Sequence, residues 1–296
     1  TTQCRLSKRL VVQFFKEVYK LKISLGTVSN TEADVSDALR ASYAEVALAS
    51  KHASVIHVDE TSYQEHNHRG WAWIVCSEAL SLFALNRSRG KTIARHLIGE
   101  HQGRVIVTDR FSAYHYLPDH ARQVCWAHLK RDFMRIAERG GFSGQLGYRL
   151  LKLYRQIFNR FKAEPFERRM AHKKTRQWFR RYQRRLHESL VLGAQSSEKK
   201  TARTCQKLLE IEPALWTFWS RADVPPTNNQ AERQLRPLVI SKKLSFGTQS
   251  ARGSRFIERL FTVIATCRQQ KKEVFNFLHE AIQAFSAGCD PPRLLI

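Results

Sequence analysis

Two short runs of β-branched residues, each ending on an aspartate, constrain this chain more than any other feature. Val55-Ile56-His57-Val58-Asp59 and Val105-Ile106-Val107-Thr108-Asp109 are short, and rich in Val and Ile without helical spacing of their apolar positions. They predict buried strands that each deliver a carboxylate to the end of a sheet. The alternation of apolar and polar residues predicts strands over 54–63, 70–77 and 80–86 in an antiparallel meander with polar turns. Within the first turn, His66-Asn67-His68 reads as a hairpin rather than a nuclease motif. A helix over 91–100 leads into the second Asp-bearing strand, 104–108, and 122–125 adds a short fifth strand. The order predicts an α/β fold, a mixed sheet flanked by helices.

Helical spacing dominates the rest. In residues 1–50, Leu10, Val11, Phe14, Phe15 and Val18 define one helix, and 32–49 reads as a second. The segment 21–29 fits either a helix-turn-helix or a helical hairpin packed on the core. About 120 residues separate Asp109 from Glu232, far more than a connecting loop needs, so an insertion is expected over 143–222. Its apolar stripes are Leu146, Leu150, Leu153, Tyr154, Ile157 and Phe161, then Trp178, Phe179, Tyr182 and Leu186. The expected division is a helical N-terminal segment (1–50), a first core part (51–142), the basic helical insertion (143–222), and a last core part with C-terminal helices (223–296).

Charge narrows the class of partner. With 50 Lys and Arg against 26 acids, the net charge is +24, an excess that suits a polyanion. Residues 149–207 concentrate it, with 18 basic residues against four acidic ones. One-sign density of this kind predicts a phosphate-binding surface in which Arg168, Arg169, Lys173, Lys174, Arg180, Arg181, Arg184 and Arg185 face solvent. No apolar run is long enough to span a bilayer, so no membrane partner is expected. The six cysteines lack paired spacing, which argues against a zinc ribbon or disulfide framework and for a reduced, cytoplasmic chain.

A third acid completes a pattern. Glu232 follows Val224-Pro225-Pro226-Thr227-Asn228-Asn229, a helix-start signal, and so lies in the first turns of a helix. Taken singly, Asp59 and Asp109 read equally well as strand-end caps, and Glu232 as a solvated helix position. Gathered in one site, three carboxylates would repel by roughly 4 kcal/mol per pair at 4 Å, so a cation must hold them. Oxygen-only donors suit Mg²⁺ or Mn²⁺. Two such ions about 3.5–4 Å apart activate a hydroxyl and steady the leaving oxygen of a phosphodiester.

Four blocks, His57-Val58-Asp59-Glu60-Thr61, Thr108-Asp109-Arg110-Phe111-Ser112-Ala113-Tyr114, Cys125-Trp126-Ala127-His128-Leu129-Lys130-Arg131-Asp132-Phe133 and Asn228-Asn229-Gln230-Ala231-Glu232-Arg233, resemble the core of bacterial insertion sequence 66 type transposases. The resemblance covers roughly residues 50 to 285. It implies the DDE superfamily and an RNase H-like core. It also implies cleavage at mobile-element ends followed by strand transfer into double-stranded target DNA. Asp59 would bridge two metal ions, with Asp109 and Glu232 each completing one shell. Cys125 and His128 would form a supporting motif, and Arg233, Arg236, Lys242 and Lys243 would hold phosphates beside the acids. A homo-oligomer on DNA, possible helper proteins and a nucleoid-associated location are further expectations. Two readings share these features: a metal-dependent nuclease or resolvase of the same fold, which lacks strand transfer, and a transposase-derived DNA-binding protein that has lost its chemistry.

Overall fold

The computed structural model describes residues 1–2, 6–101 and 103–295. The chain is mixed α/β, its five strands forming a mixed sheet flanked by helices. It divides into two compact units, one made of Thr1–Glu100 with Gln230–Ile296 and the other of His101–Asn229. Asp59 and Glu232 belong to the first unit and Asp109 to the second.

The first unit opens with α1 (Lys8–Val18), α2 (Leu25–Ala38) and α3 (Arg40–Ser50), followed by β1 (Val55–Glu65), β2 (His68–Cys76), β3 (Ser81–Asn86) and α4 (Lys91–Ile98). β1, β2 and β3 are the expected antiparallel meander. Its first turn is His66-Asn67, both at positive φ, with Glu65 paired to His68. That two-residue turn matches the right-handed twist of the strands it joins. In the N-terminal segment the expected 32–49 helix is instead two helices. α2 starts early because Ser24 and Thr27 close a capping box, the Ser24 hydroxyl accepting from the Thr27 N–H at 2.9 Å. α2 packs against α1 and against two C-terminal helices, α12 (Ala251–Gln269) and α13 (Val274–Ala287).

The second unit holds β4 (Val105–Thr108), β5 (Arg122–Val124), α5 (Trp126–Ala137), α6 (Gly141–Ala163), α7 (Phe166–Ala171), α8 (Lys173–Ala194), α9 (Lys199–Leu209) and α10 (Thr217–Ser220). β4 and β5 run parallel. The helices enclose an aromatic core: the Trp126 ring lies 5.2 Å from Trp216 and 5.7 Å from Phe158, and Phe179 stacks on Trp219 at 4.2 Å. The two predicted stripes supply much of this core.

α11 (Asn229–Ser245), α12 (Ala251–Gln269) and α13 (Val274–Ala287) complete the chain. Ala231, Leu235 and Leu238 of α11 and Phe261 and Ala265 of α12 bury one sheet face, packing on Tyr63, Ala72, Ile74, Cys76 and Phe83. α12 also satisfies the outer edge of β3. Glu258, Thr262 and Thr266, one helical turn apart, accept from the N–H groups of Leu85, Phe83 and Ser81 at 2.6, 2.9 and 3.1 Å. Four helical residues and two strand residues both advance roughly 6 Å, so the two ladders stay in step. No helix among the described residues is long and apolar enough to cross a membrane.

α5 and α6 approach so closely at Gly147 that a Cβ there would stand 2.2 Å from the Ala137 nitrogen. Gly→Ala inside a helix ordinarily stabilises by up to about 1 kcal/mol, but here overpacking opposes it at about 1–3 kcal/mol. Gly147→Ala is therefore expected to lower the thermal midpoint by several degrees, whereas an unchanged or raised midpoint in a melting experiment would contradict this packing.

Candidate active site

Register fixes the direction of Asp59. In the β1–β2 ladder His57 pairs with Cys76, Asp59 with Ile74 and Thr61 with Ala72, and directly paired residues project to the same face. Asp59 therefore shares the face that α11 covers. Cys76 senses this environment: burial pushes its thiol up, the Asp59 charge adds to that, and Arg233 of α11 offsets it. The Asp59 Oδ1 accepts from the Glu60 N–H at 2.9 Å. Neighbouring Glu60 is paired with Trp73, on the opposite face from Asp59. There it is buried and neutralised by Arg89 at 2.7 Å, whose guanidinium lies over Trp71.

α11, which covers that face, carries the third acid. Glu232 lies in the first turn of α11, where the helix dipole favours an anion, and the next residue, Ala231 before it, packs in the core of that face. Both ends of the helix are tied down. The Gln230 side chain donates to the Ser77 carbonyl, and the Lys242 ammonium donates to the Thr61 hydroxyl at 2.9 Å and to the Ser62 carbonyl and hydroxyl.

In the second unit, Asp109 ends β4 and its Oδ1 accepts from the Phe111 N–H at 2.8 Å, a turn that aims the carboxylate. Arg122 on β5 holds the backbone beneath it, donating to the Thr108 hydroxyl at 3.1 Å and to the Asp109 carbonyl at 2.9 Å. Burial pushes this guanidinium down to about 10, with the Asp109 charge working the other way. Cys125 caps the start of α5, and its sulfur accepts from the Asn228 N–H at 3.1 Å. The Trp126 N–H bonds the Pro226 carbonyl at 3.0 Å. The Cys125 sulfur thus holds the segment that precedes α11, and His128 follows on α5, half-buried.

A sequence model described as Transposase IS66 family matches residues 8–256. The chain belongs to that family. No curated protein matches it. Membership of the Transposase IS66 family makes DNA the substrate class and the chain a transposase domain.

The three acids offer only oxygen donors, as a hard divalent cation requires. Asp59 lies on the sheet face that α11 covers, Glu232 in the first turn of that helix, and Asp109 accepts from its own turn.

The basic residues of this IS66-family chain divide into kinds that the sequence did not separate. Arg168, Lys173, Lys174, Arg180, Arg181 and Arg184 are exposed, as are Arg233, Arg236 and Lys243. Arg169 is not: it is 5% exposed, with its guanidinium over Phe161 at 4.2 Å and Trp219 at 5.3 Å. The expectation that it faces solvent is corrected, because its charge is absorbed by cation–π packing. Arg185 is half-buried over Tyr182, and Lys242 directs its donors into β1. Sequence reading missed a cleft of about 260 Å³ lined by Arg110, Arg139, Lys200, Arg203 and Lys207. Arg110 is held there by Asp132 at 2.7 and 2.9 Å, and Arg139 by the Thr201 hydroxyl at 2.8 Å. The signal was present in the basic run 149–207, but attention to α8 passed over α9. Of the six cysteines, Cys4 lies outside the described residues; Cys76, Cys125, Cys205, Cys267 and Cys289 are unpaired by disulfide.

Proposed function

We propose that the chain is the catalytic region of a DNA transposase that works by the DDE mechanism on an RNase H-like core, with Asp59, Asp109 and Glu232 as the metal-holding acids. The observation that carries this reading is Asp59 on the sheet face that α11 covers, with Glu232 in the first turn of that helix, in a chain of the Transposase IS66 family. Mg²⁺, two ions per site with Mn²⁺ as a substitute, would supply Lewis-acid activation of the phosphodiester and stabilise the leaving oxygen. The protein's part is positioning. The Asp109 turn and Arg122 hold one carboxylate, and the packing of α11 holds another. Arg233, Arg236 and Lys243 of α11 offer exposed cations for the phosphates of element ends and target. The cleft around Arg110 and Arg203 offers a second set. Cutting and then joining require no nucleophilic side chain, because the attacking groups are water and the freed 3′-hydroxyl.

Changing Asp59 or Asp109 to Asn, or Glu232 to Gln, is expected to lower cleavage of cognate element ends by about a thousandfold or more, roughly 4 kcal/mol of transition-state stabilisation. Affinity for the same DNA should stay within a few-fold. A gel-based cleavage and strand-transfer assay measures the first and fluorescence anisotropy the second. Wild-type nicking by Asp109→Asn would sink the assignment.

The exposed stripe on α8 is assigned to DNA backbone. Reversing Arg180, Arg181, Arg184 and Arg185 to Glu removes three exposed cations and one half-buried cation. If the three exposed ones contact phosphates, the slope of log K against log salt flattens by about 2.5–3 units. Superimposable slopes for the variant and the wild type would place the DNA path elsewhere.

A further inference from the structure

The loop between α11 and α12 presents an aromatic side chain in a conformation the surroundings impose. Phe246 is 76% exposed and sits at φ +57°, the left-handed region that a bulky L residue adopts at a cost of about 1–3 kcal/mol. The constraint comes from the next residues. Gly247, at φ +95°, lies so close to β1 that a Cβ would stand 2.1 Å from the Gln64 carbonyl oxygen. The Thr248 N–H donates to that same carbonyl at 3.0 Å, and the His66 N–H donates to the Thr248 carbonyl at 2.8 Å. The Ser254 hydroxyl, at the start of α12, donates to Glu65 at 2.7 Å. The tip of the β1–β2 hairpin and the loop are therefore joined, and Phe246 is exposed from that joined base.

A cavity of about 390 Å³ lies beside it, lined by Tyr63, Gln64, Arg69, Lys243, Phe246 and Gly247 among others. Its lining includes three cations, with Lys242 as the third, and no carboxylate. The exposed apolar side chains here are Phe246 and Leu244, less than the broad patch an apolar protein partner would match, whereas an exposed aromatic ring beside cations suits a nucleobase with its flanking phosphates. Gln64 is five residues along β1 from Asp59, roughly 16 Å, the span of a few nucleotides.

We infer that Phe246 stacks on an unpaired nucleobase, with Lys243 and Arg69 holding the adjacent phosphates, so that the protein prefers DNA with a locally single-stranded segment. The inference rests on the transposase reading and specifies the form of DNA that the first unit takes. Base stacking on an aromatic ring is worth about five- to a hundredfold in affinity per base.

The test uses fluorescence anisotropy in EDTA with three probes: a continuous duplex, the same duplex with a short 3′ single-stranded tail, and that duplex with a tail of abasic sites. The abasic tail keeps the phosphates and removes the rings. Wild type is expected to bind the natural tail at least fivefold tighter than the abasic tail. Phe246→Ala should abolish that difference and Phe246→Trp should preserve it. Equal binding of natural and abasic tails by wild type, or an undiminished preference in Phe246→Ala, overturns the inference while continuous-duplex binding leaves the transposase reading standing. Failure of wild type to bind any of the three DNAs would overturn both.

Discussion

The burial of α11 on the face of β1, β2 and β3 is the contact on which the first unit depends. Ala231, Leu235 and Leu238 form its apolar stripe, and each fully buried leucine contributes roughly 1.5–3 kcal/mol. Because the stripe faces the sheet, the rest of the helix surface carries the polar chemistry: Glu232 in the first turn, Arg233 and Arg236 on the exposed side, and Lys242 reaching Thr61. One packing event therefore lays the helix that carries Glu232 over the sheet face of Asp59 and leads into the loop that displays Phe246. Pro237 lies inside this helix; it cannot donate a helical hydrogen bond, so packing rather than backbone continuity holds that turn.

The same sheet has an edge that would otherwise invite pairing with another chain. Glu258, Thr262 and Thr266 of α12 meet the N–H groups of β3 and close it. Burial holds the Glu258 carboxyl above its ordinary range even though it accepts from Leu85. In the second unit, Arg122 plays a comparable part beneath Asp109, a buried cation that bonds a hydroxyl and a carbonyl rather than pairing with a side-chain carboxylate. Both devices place a polar group where it satisfies backbone next to a functional strand.

The strands, the His66-Asn67 turn and the two aromatic stripes were legible because each is local: β-branched runs, a turn dipeptide and a 3.6-residue period are written in consecutive residues. The three acids were singled out for the same reason, but Asp59, expected where its strand ends, lies inside β1, which runs on to Glu65 because β2 pairs with it as far as the hairpin turn. What escaped depends on residues distant in sequence. Arg169 looks like one more surface cation until Trp219, fifty residues later, supplies the ring that buries it. Lys242 reads from sequence as one more exposed cation, and only the fold shows its ammonium donating to Thr61 and Ser62. α2 begins earlier than the expected 32–49 helix, at a capping box of Ser24 with Thr27 that lacks the Glu or Gln of the commoner form.

The central claim is that Asp59, Asp109 and Glu232 hold divalent metal. Titration of Mn²⁺ into the protein–DNA complex, followed by electron paramagnetic resonance of the free ion, tests it without recourse to activity. The account predicts about two tightly bound ions per chain in the wild type and their loss when all three acids are changed to the corresponding amides. Unchanged Mn²⁺ binding in the triple variant would contradict it.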